Sequence, residues 1–368
     1  MTDPTPAQAS VAATIVRNMP IRQRIDWLMD HARLHSVGFQ SPEAFLSRRR
    51  YVAQHPTAVV ALSCMDGRIN ISVATGTPAG IIVPFRNLGG DFDLGWPHFG
   101  DVLSEYVRNM VGQGRRTLAL ITYHYSKGDS NRGCAGFRYD TSAARSHAFE
   151  IKRQVGVVFG NDHDTVYPLV CGFETDEDAL VLHGTGGEGL DLSTRSSTLH
   201  DTVPALLARL YPDMPHQVLQ DLLPLVQGNI SHIAGIRQSN RALDIEHHEW
   251  VIGIGRGFDW MHMPNLALII GPYSPDLTVP VREASGIIEA NMKSGRIPDD
   301  GFLLLIESPY HEIGDDRARA ELRSRFLTTF AAGIIRAEFP YLREKMVVLS
   351  AVIAWQSQVL EVIDSCAA

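Results

Sequence analysis

Val59–Val60–Ala61–Leu62–Ser63–Cys64–Met65–Asp66–Gly67–Arg68 is an apolar run that ends in three chemically active side chains. Residues 58–64 are almost uninterruptedly hydrophobic. That pattern belongs to a strand covered on both faces, as in a parallel sheet. The run then turns and presents Cys64, Asp66 and Arg68. A second apolar run, Leu118–Ala119–Leu120–Ile121, ends at Tyr123–His124, and Cys134 follows in Asn131–Arg132–Gly133–Cys134–Ala135–Gly136. Two thiolates and an imidazole form a soft donor set that suits zinc, and three protein ligands leave a fourth position for water. A cysteine alone would more often be a buried structural residue. Here C-x-D-x-R closes one strand and a histidine closes another, which favours a metal site at Cys64, His124 and Cys134. A carboxylate held by a guanidinium stays ionised and accepts a hydrogen bond from a zinc-bound water. Zinc lowers the pKa of that water towards about 7.

Around this stretch the elements alternate. Ile81 to Phe85 reads as the next strand, ending in Arg86–Asn87–Leu88–Gly89–Gly90, where paired glycines let backbone approach closely. His98 to Gly112 is a helix, and Thr117 to Thr122 is the third strand. Strand, strand, helix, strand requires a crossover, so the sheet is largely parallel. Ligands at strand C-termini lie where such folds place their sites. A helix over Thr141 to Val155 follows, then strands at Val166–Val170 and Ala179–Leu182. Upstream, Ile21–His35 and a segment opened by Ser41–Pro42 read as two N-terminal helices that pack on this body or across a dimer. Gly184–Thr185–Gly186–Gly187–Glu188–Gly189 reads as a flexible breaker, with helical stretches after it at Val203–Leu210 and Gln217–Val226.

The second half repeats the order of the first. Glu249–Gly255, Leu266–Gly271 and Gly301–Ile306 stand for the three strands. Val281–Ser294 and Arg323–Arg336 stand for the helices, and Met346–Ala354 with Val359–Ile363 form the closing pair. This is a degenerate internal duplication. Aligning the strands sets Gly255 near Cys64, Gly257 near Asp66 and Pro309 near His124, so the second copy keeps the scaffold without the ligands. The expected organisation is a helical arm over 1–57, a catalytic zinc domain over 58–190, and a ligand-free copy over 191–368.

The 368 residues are 45% hydrophobic and 20% charged, with a formal net charge of −8. Such a chain buries a sizeable core and shows no basic excess that would point to nucleic acid. Four cysteines without C-x-x-C spacing exclude a disulfide framework and favour metal binding in a reducing compartment. No signal peptide and no membrane-spanning run are legible, so the expectation is a soluble, cytoplasmic protein.

Cys64–Met65–Asp66–Gly67–Arg68 resembles the C-x-D-x-R motif of the β-class carbonic anhydrases, and Arg86–Asn87–Leu88–Gly89 is similar to their R-N-A-G segment. His124 with Cys134 stands in place of their H-x-x-C, with the gap widened to Tyr125–Gly133. The wide gap, the N-terminal helices and the ligand-free copy together resemble the carboxysome-shell carbonic anhydrase subfamily. The resemblance implies a duplicated β-carbonic-anhydrase-like α/β fold with one zinc per chain. It implies hydration of CO2 to bicarbonate by zinc-bound hydroxide, with Asp66 and Arg68 steering the bound water. It also implies a homodimer or higher homo-oligomer, and it raises carboxysome association as a finer expectation. Two rivals keep the same residues: a CS2 or COS hydrolase, and a non-catalytic zinc scaffold.

Weaker candidates read as ordinary structure. His163 lies in a polar turn, and His247–His248 reads as a surface or interface pair. Tyr123, Tyr125 and His98 either line the pocket, shuttle protons or pack. By position, Phe92, Leu94 and Trp96 are candidates to wall an apolar CO2 pocket.

Overall fold

Each β1 residue, Ala58–Cys64, is buried, because strands pair with it on both sides and helices and loops cover both faces. The computed structural model describes residues 15–129, 132–194, 202–239, 247–261 and 265–366. In chain order the elements are helices α1 (Ile21–Phe39) and α2 (Pro42–Gln54), β1, a short α3 (Ile71–Ala74), β2 (Ile82–Asn87), α4 (Pro97–Gly112), β3 (Thr117–Tyr125), α5 (Thr141–Phe159), β4 (Val166–Glu174), β5 (Ala179–His183), β6 (Gly189–Asp191), α6 (Val203–Leu210) and α7 (His216–Ser239). The second half continues with β7 (Val251–Ile254), β8 (Ala267–Ile270), α8 (Thr278–Lys293), β9 (Phe302–Tyr310), α9 (Asp315–Glu338), β10 (Met346–Ala354) and β11 (Val359–Cys366).

These strands form two mixed, largely parallel sheets flanked by helices. The first has the order β2-β1-β3-β4-β5-β6, and the second, taken from its other edge, β8-β7-β9-β10-β11. In the first, β1 is parallel to both β2 and β3, β3 is parallel to β4, and β5 returns antiparallel. The second repeats those directions with β7 to β11. The closing hairpins also correspond: Glu174 pairs Ala179 and Ala354 pairs Val359, with Asp178 and Gln358 both left-handed at φ 55°. Because Tyr125 pairs Glu174 and Tyr310 pairs Ala354, Pro309 corresponds to His124, as the sequence alignment expects. Leu62 pairs Ile121 and Ile254 pairs Ile306, so Ile254 corresponds to Leu62, and the expected alignment shifts by one residue: Arg256 rather than Gly255 corresponds to Cys64, and Phe258 rather than Gly257 to Asp66.

Local chemistry explains most element ends. Ser41 Oγ accepts the Ala44 N–H at 3.2 Å ahead of Pro42, capping α2. Asp140 Oδ1 accepts from Ser142 and Ala143 and opens α5. Elsewhere the fold departs from the sequence reading. The glycine-rich segment after His183 leads straight into β6, which pairs antiparallel with β5. The stretch expected to end at Val226 runs to Ser239, with Pro224 inside it, because Asn229 ties it to the first body. Asn229 donates to the carbonyls of Ala74 and Asp178 and accepts from the Leu180 N–H. Charged residues over 315–322 mask the first turns of α9.

The N-terminal helix packs on this chain's own second sheet. Arg24 is fully buried, pairs with Asp300, donates to the Gly301 carbonyl at 3.0 Å and lies 5.1 Å from the Trp250 ring centre. Two backbone bonds join the halves directly: Ile269 N–H to the Met65 carbonyl (2.9 Å) and Gly271 N–H to the Arg86 carbonyl (2.8 Å). Tyr273 inserts into the first body, with its ring centre 5.2 Å from Phe85 and 5.8 Å from Phe99.

Gly67 sits at this seam, where a Cβ would overlap the carbonyl oxygen of Ala267. Gly67→Ala is therefore expected to lower stability by about 1–3 kcal/mol in urea unfolding. Gly112→Ala, where a Cβ meets nothing within 4 Å, serves as the neutral control.

Candidate metal centre

β1 and β3 are parallel neighbours, so Cys64 and His124 emerge at the same end of the sheet. The loop after β3 brings Cys134 back to them. Ligand atoms of Cys64, His124 and Cys134 all lie within 4.8 Å of one another, and all three residues are buried. Glycine makes the return possible. A Cβ on Gly136 would come within 2.8 Å of the Gly89 Cα, and Gly89 itself is left-handed at φ 71°. The paired glycines thus do allow the close backbone approach read from the sequence.

Three observations test whether the group suits zinc. The Sγ atoms of Cys64 and Cys134 are 3.9 Å apart. Two sulfurs each 2.3 Å from a tetrahedral ion would be separated by about 3.8 Å. Both ring nitrogens of His124 are buried and have no hydrogen-bond partner among the described residues, a costly arrangement that coordination relieves. The thiols are also unequal. Their mutual contact, then burial, pushes the Cys64 thiol well above its ordinary value. The same contact, helped by the Gly136 and Phe137 N–H groups against burial, lowers that of Cys134. The group has these three members among the described residues, and a tetrahedral ion would keep one position for solvent or substrate. A single zinc ion per chain fits the donor set.

Asp66 and Arg68 form a buried pair beside the cluster. Arg68 Nε donates to Asp66 Oδ1 at 3.0 Å, Nη2 donates to Oδ2 at 2.5 Å, and the Arg68 N–H donates to Oδ1 at 2.9 Å. Burial alone would raise the Asp66 pKa, but Arg68 overrides it and holds the carboxyl well below the usual carboxylate range. Asp66 Oδ2 lies 4.0 Å from His124 Nε2. Arg86 staples the turn from below: Nη1 donates to the carbonyls of Cys64 (3.3 Å) and Asp66 (3.2 Å), and Nη2 to that of Ile69 (2.5 Å).

The sequence reading missed the contribution of the second half. His247 and Glu249, just before β7, bring their ligand atoms within 4.8 Å of Asp66. His247 Nδ1 lies 3.0 Å from Glu249 Oε1, and Glu249 is completely buried. The surface or interface pair expected at His247–His248 is instead an internal contact, with His248 only 9% exposed. One signal was available: residues two apart in extended chain share a face. What that face meets is set by the fold.

The weaker candidates are structural. His163 pairs with Asp213 at 3.5 Å and meets the Tyr167 ring edge-on. Tyr123 donates to or accepts from His183 Nε2 at 2.9 Å and stacks on Tyr125. His98 stacks on Tyr273. Phe92, Leu94 and Trp96 pack in a core cluster with Phe85, Phe99 and Tyr123, separate from the cluster that holds Cys64 and Cys134. They lie in the segment between β2 and α4, on the side of the sheet lined by α4 and α5.

Metal-free protein is expected to take up one zinc per chain by elemental analysis, and Cys64→Ser, His124→Ala or Cys134→Ser should each abolish stoichiometric binding. Binding must displace the proton retained on Cys64, so affinity should rise with pH and weakly buffered calorimetry should record proton release.

No protein-family model matches the chain. It is 27% identical over 245 residues to the carboxysome shell carbonic anhydrase of Hydrogenovibrio crunogenus, covering 57% of this chain and 46% of that one. It is 26% identical over 262 residues to that of Prochlorococcus marinus (61% and 50% covered) and to that of Parasynechococcus marenigrum (61% and 45%). The chain thus spans about half the length of the curated relatives it matches. Among solved structures, the β-carbonic anhydrase CcaA superposes with a TM-score of 0.35 at 10% identity, over 45% of this chain and 91% of that one, which is too loose a fit to carry an argument. No helix among the described residues is long and apolar enough to cross a membrane. The chain is β-class carbonic-anhydrase-like, related at moderate identity to the carboxysome shell carbonic anhydrases.

Proposed function

We propose that this protein is a zinc-dependent carbonic anhydrase that interconverts CO2 and bicarbonate. The observation that carries the reading is the convergence of Cys64, His124 and Cys134 beside a bidentate Asp66–Arg68 pair. The three residues would hold zinc, which supplies Lewis acidity that makes water nucleophilic near neutral pH. The two thiolates would offset the charge of a bound dication. Asp66, kept ionised by Arg68, accepts a hydrogen bond from the attacking water at a carboxylate oxygen and orients its lone pair. Arg68 in turn anchors Asp66, and its Nη2 reaches the Arg132 carbonyl at 3.3 Å, on the loop that delivers Cys134. Burial of all five residues excludes bulk water from the reacting groups.

The relatives' printed names support carbonic anhydrase activity and bring carboxysome association into the proposal. The matching strand orders support a zinc domain (58–190) followed by a copy without its ligands (191–368), behind a helical arm (1–57); the family resemblance adds a homodimer or higher homo-oligomer to the proposal.

Stopped-flow CO2 hydration on the zinc-loaded full chain tests the activity, with CS2 and COS run beside it. Wild type should accelerate hydration. Asp66→Asn should retain zinc yet lose about 100-fold or more in kcat. Zinc-replete protein that does not hydrate CO2 would overturn the reading, and turnover of CS2 or COS alone would replace its substrate.

A further inference from the structure

Glu249 is a carboxylate with zero exposure, contributed by the second half of the chain rather than by the sheet that carries Cys64 and His124. Its oxygens lie 3.0 and 3.1 Å from His247 Nδ1. Its main-chain carbonyl accepts from Asn291 Nδ2 at 3.1 Å, and Asn291 is itself fully buried on α8. The residue next in sequence, Trp250, packs against Arg24. Glu249 is therefore fixed by the second body rather than by the site it faces. A carboxylate only accepts, so Nδ1 of His247 is the donor and the ring's orientation is set. A ring nitrogen of His247 lies within 4.8 Å of an Asp66 carboxylate oxygen. Its side chain keeps 23% exposure, so it stands between the buried pair and solvent.

We infer that Glu249 is a positioning residue: it holds the His247 imidazole against the Asp66–Arg68 pair, so the ligand-free sheet completes the site on the first. The inference rests on the hydration reading above. Electrostatics agree with the geometry. Burial lowers the proton affinity of His247, yet Glu249 and then Asp66 outweigh it and raise the affinity above the ordinary imidazole value, while Arg68 opposes them. Arg68 likewise gains from Asp66 and from Glu249 against its own burial. Arg68, Asp66, His247 and Glu249 follow one another along the seam, and Glu249 is the member that the second sheet anchors. This gives the second copy a task that needs no metal ligand of its own.

The test uses Glu249→Gln, Glu249→Leu, His247→Gln and the double variant Glu249→Leu/His247→Gln as full chains. Zinc content and thermal unfolding accompany kcat and KM for CO2. Glu249→Leu should keep zinc and lose about tenfold to a hundredfold in kcat with KM little changed. Glu249→Gln retains an acceptor and should recover a large part of that loss. The double variant should be no slower than His247→Gln, because both changes remove one interaction. In the zinc-free chain, nitrogen-15 spectra of the imidazoles should show a protonated, hydrogen-bonded Nδ1 at His247 that Glu249→Leu abolishes. Full kcat in both Glu249 variants, or losses that simply multiply in the double variant, would overturn the inference. An inactive wild type would overturn the hydration reading and with it the catalytic part of this one. The imidazole spectra still decide whether Glu249 orients the ring.

Discussion

The parallel pairing of β1 with β3 is the constraint on which the site depends. Side-by-side parallel strands end at the same edge, so residues sixty positions apart in sequence become neighbours without any specific contact between them. Leu62 opposite Ile121 sets the register, and Cys64 and His124 follow two and three residues later. An antiparallel pairing would carry one ligand to the opposite edge of the sheet, and a shift of one residue would turn it to the far face. Burial on both faces of β1 and β3 makes that register costly to leave.

The turn after β1 is held by hydrogen bonds more than by packing. Arg86 grips three of its carbonyls, Arg68 grips the Asp66 carboxylate, and Gly67 leaves room for the second sheet. Each of these interactions would be weak at an exposed position. Here the surroundings exclude water, so a donor that lost its partner would remain unpaired at considerable cost. That cost gives the turn one conformation, and a fixed turn keeps the Asp66 oxygens near the thiols.

The second sheet repeats the strand order of the first without placing Cys64, His124 or Cys134 counterparts at the corresponding strand ends among the described residues. Pro309 cannot bind a metal and Arg256 repels one, yet the strand order and the closing hairpin survive. The space corresponding to Ser63 and Thr122, where a hydroxyl pair bonds in the first body, holds Gly255 and the Glu307 carboxylate, which accepts from the Gly257 N–H. What this half retains at the seam is the short segment ahead of β7, with its imidazole and its carboxylate.

The sequence by itself determined the strands, the duplication and the identity of the three soft donors. Those signals are local: a saturated apolar run, a breaker after it, and a reactive side chain between the two. It determined the Asp66–Arg68 pair as well, because two residues of spacing put both on one turn. It left open the full length of α7, since Pro224 reads as a stop, and the role of β6, since glycine reads as a break. Only the tertiary structure decided that His247 and Glu249 face Asp66. An H-x-E spacing ahead of a strand occurs wherever chain is extended, and its neighbours are chosen by how two sheets dock.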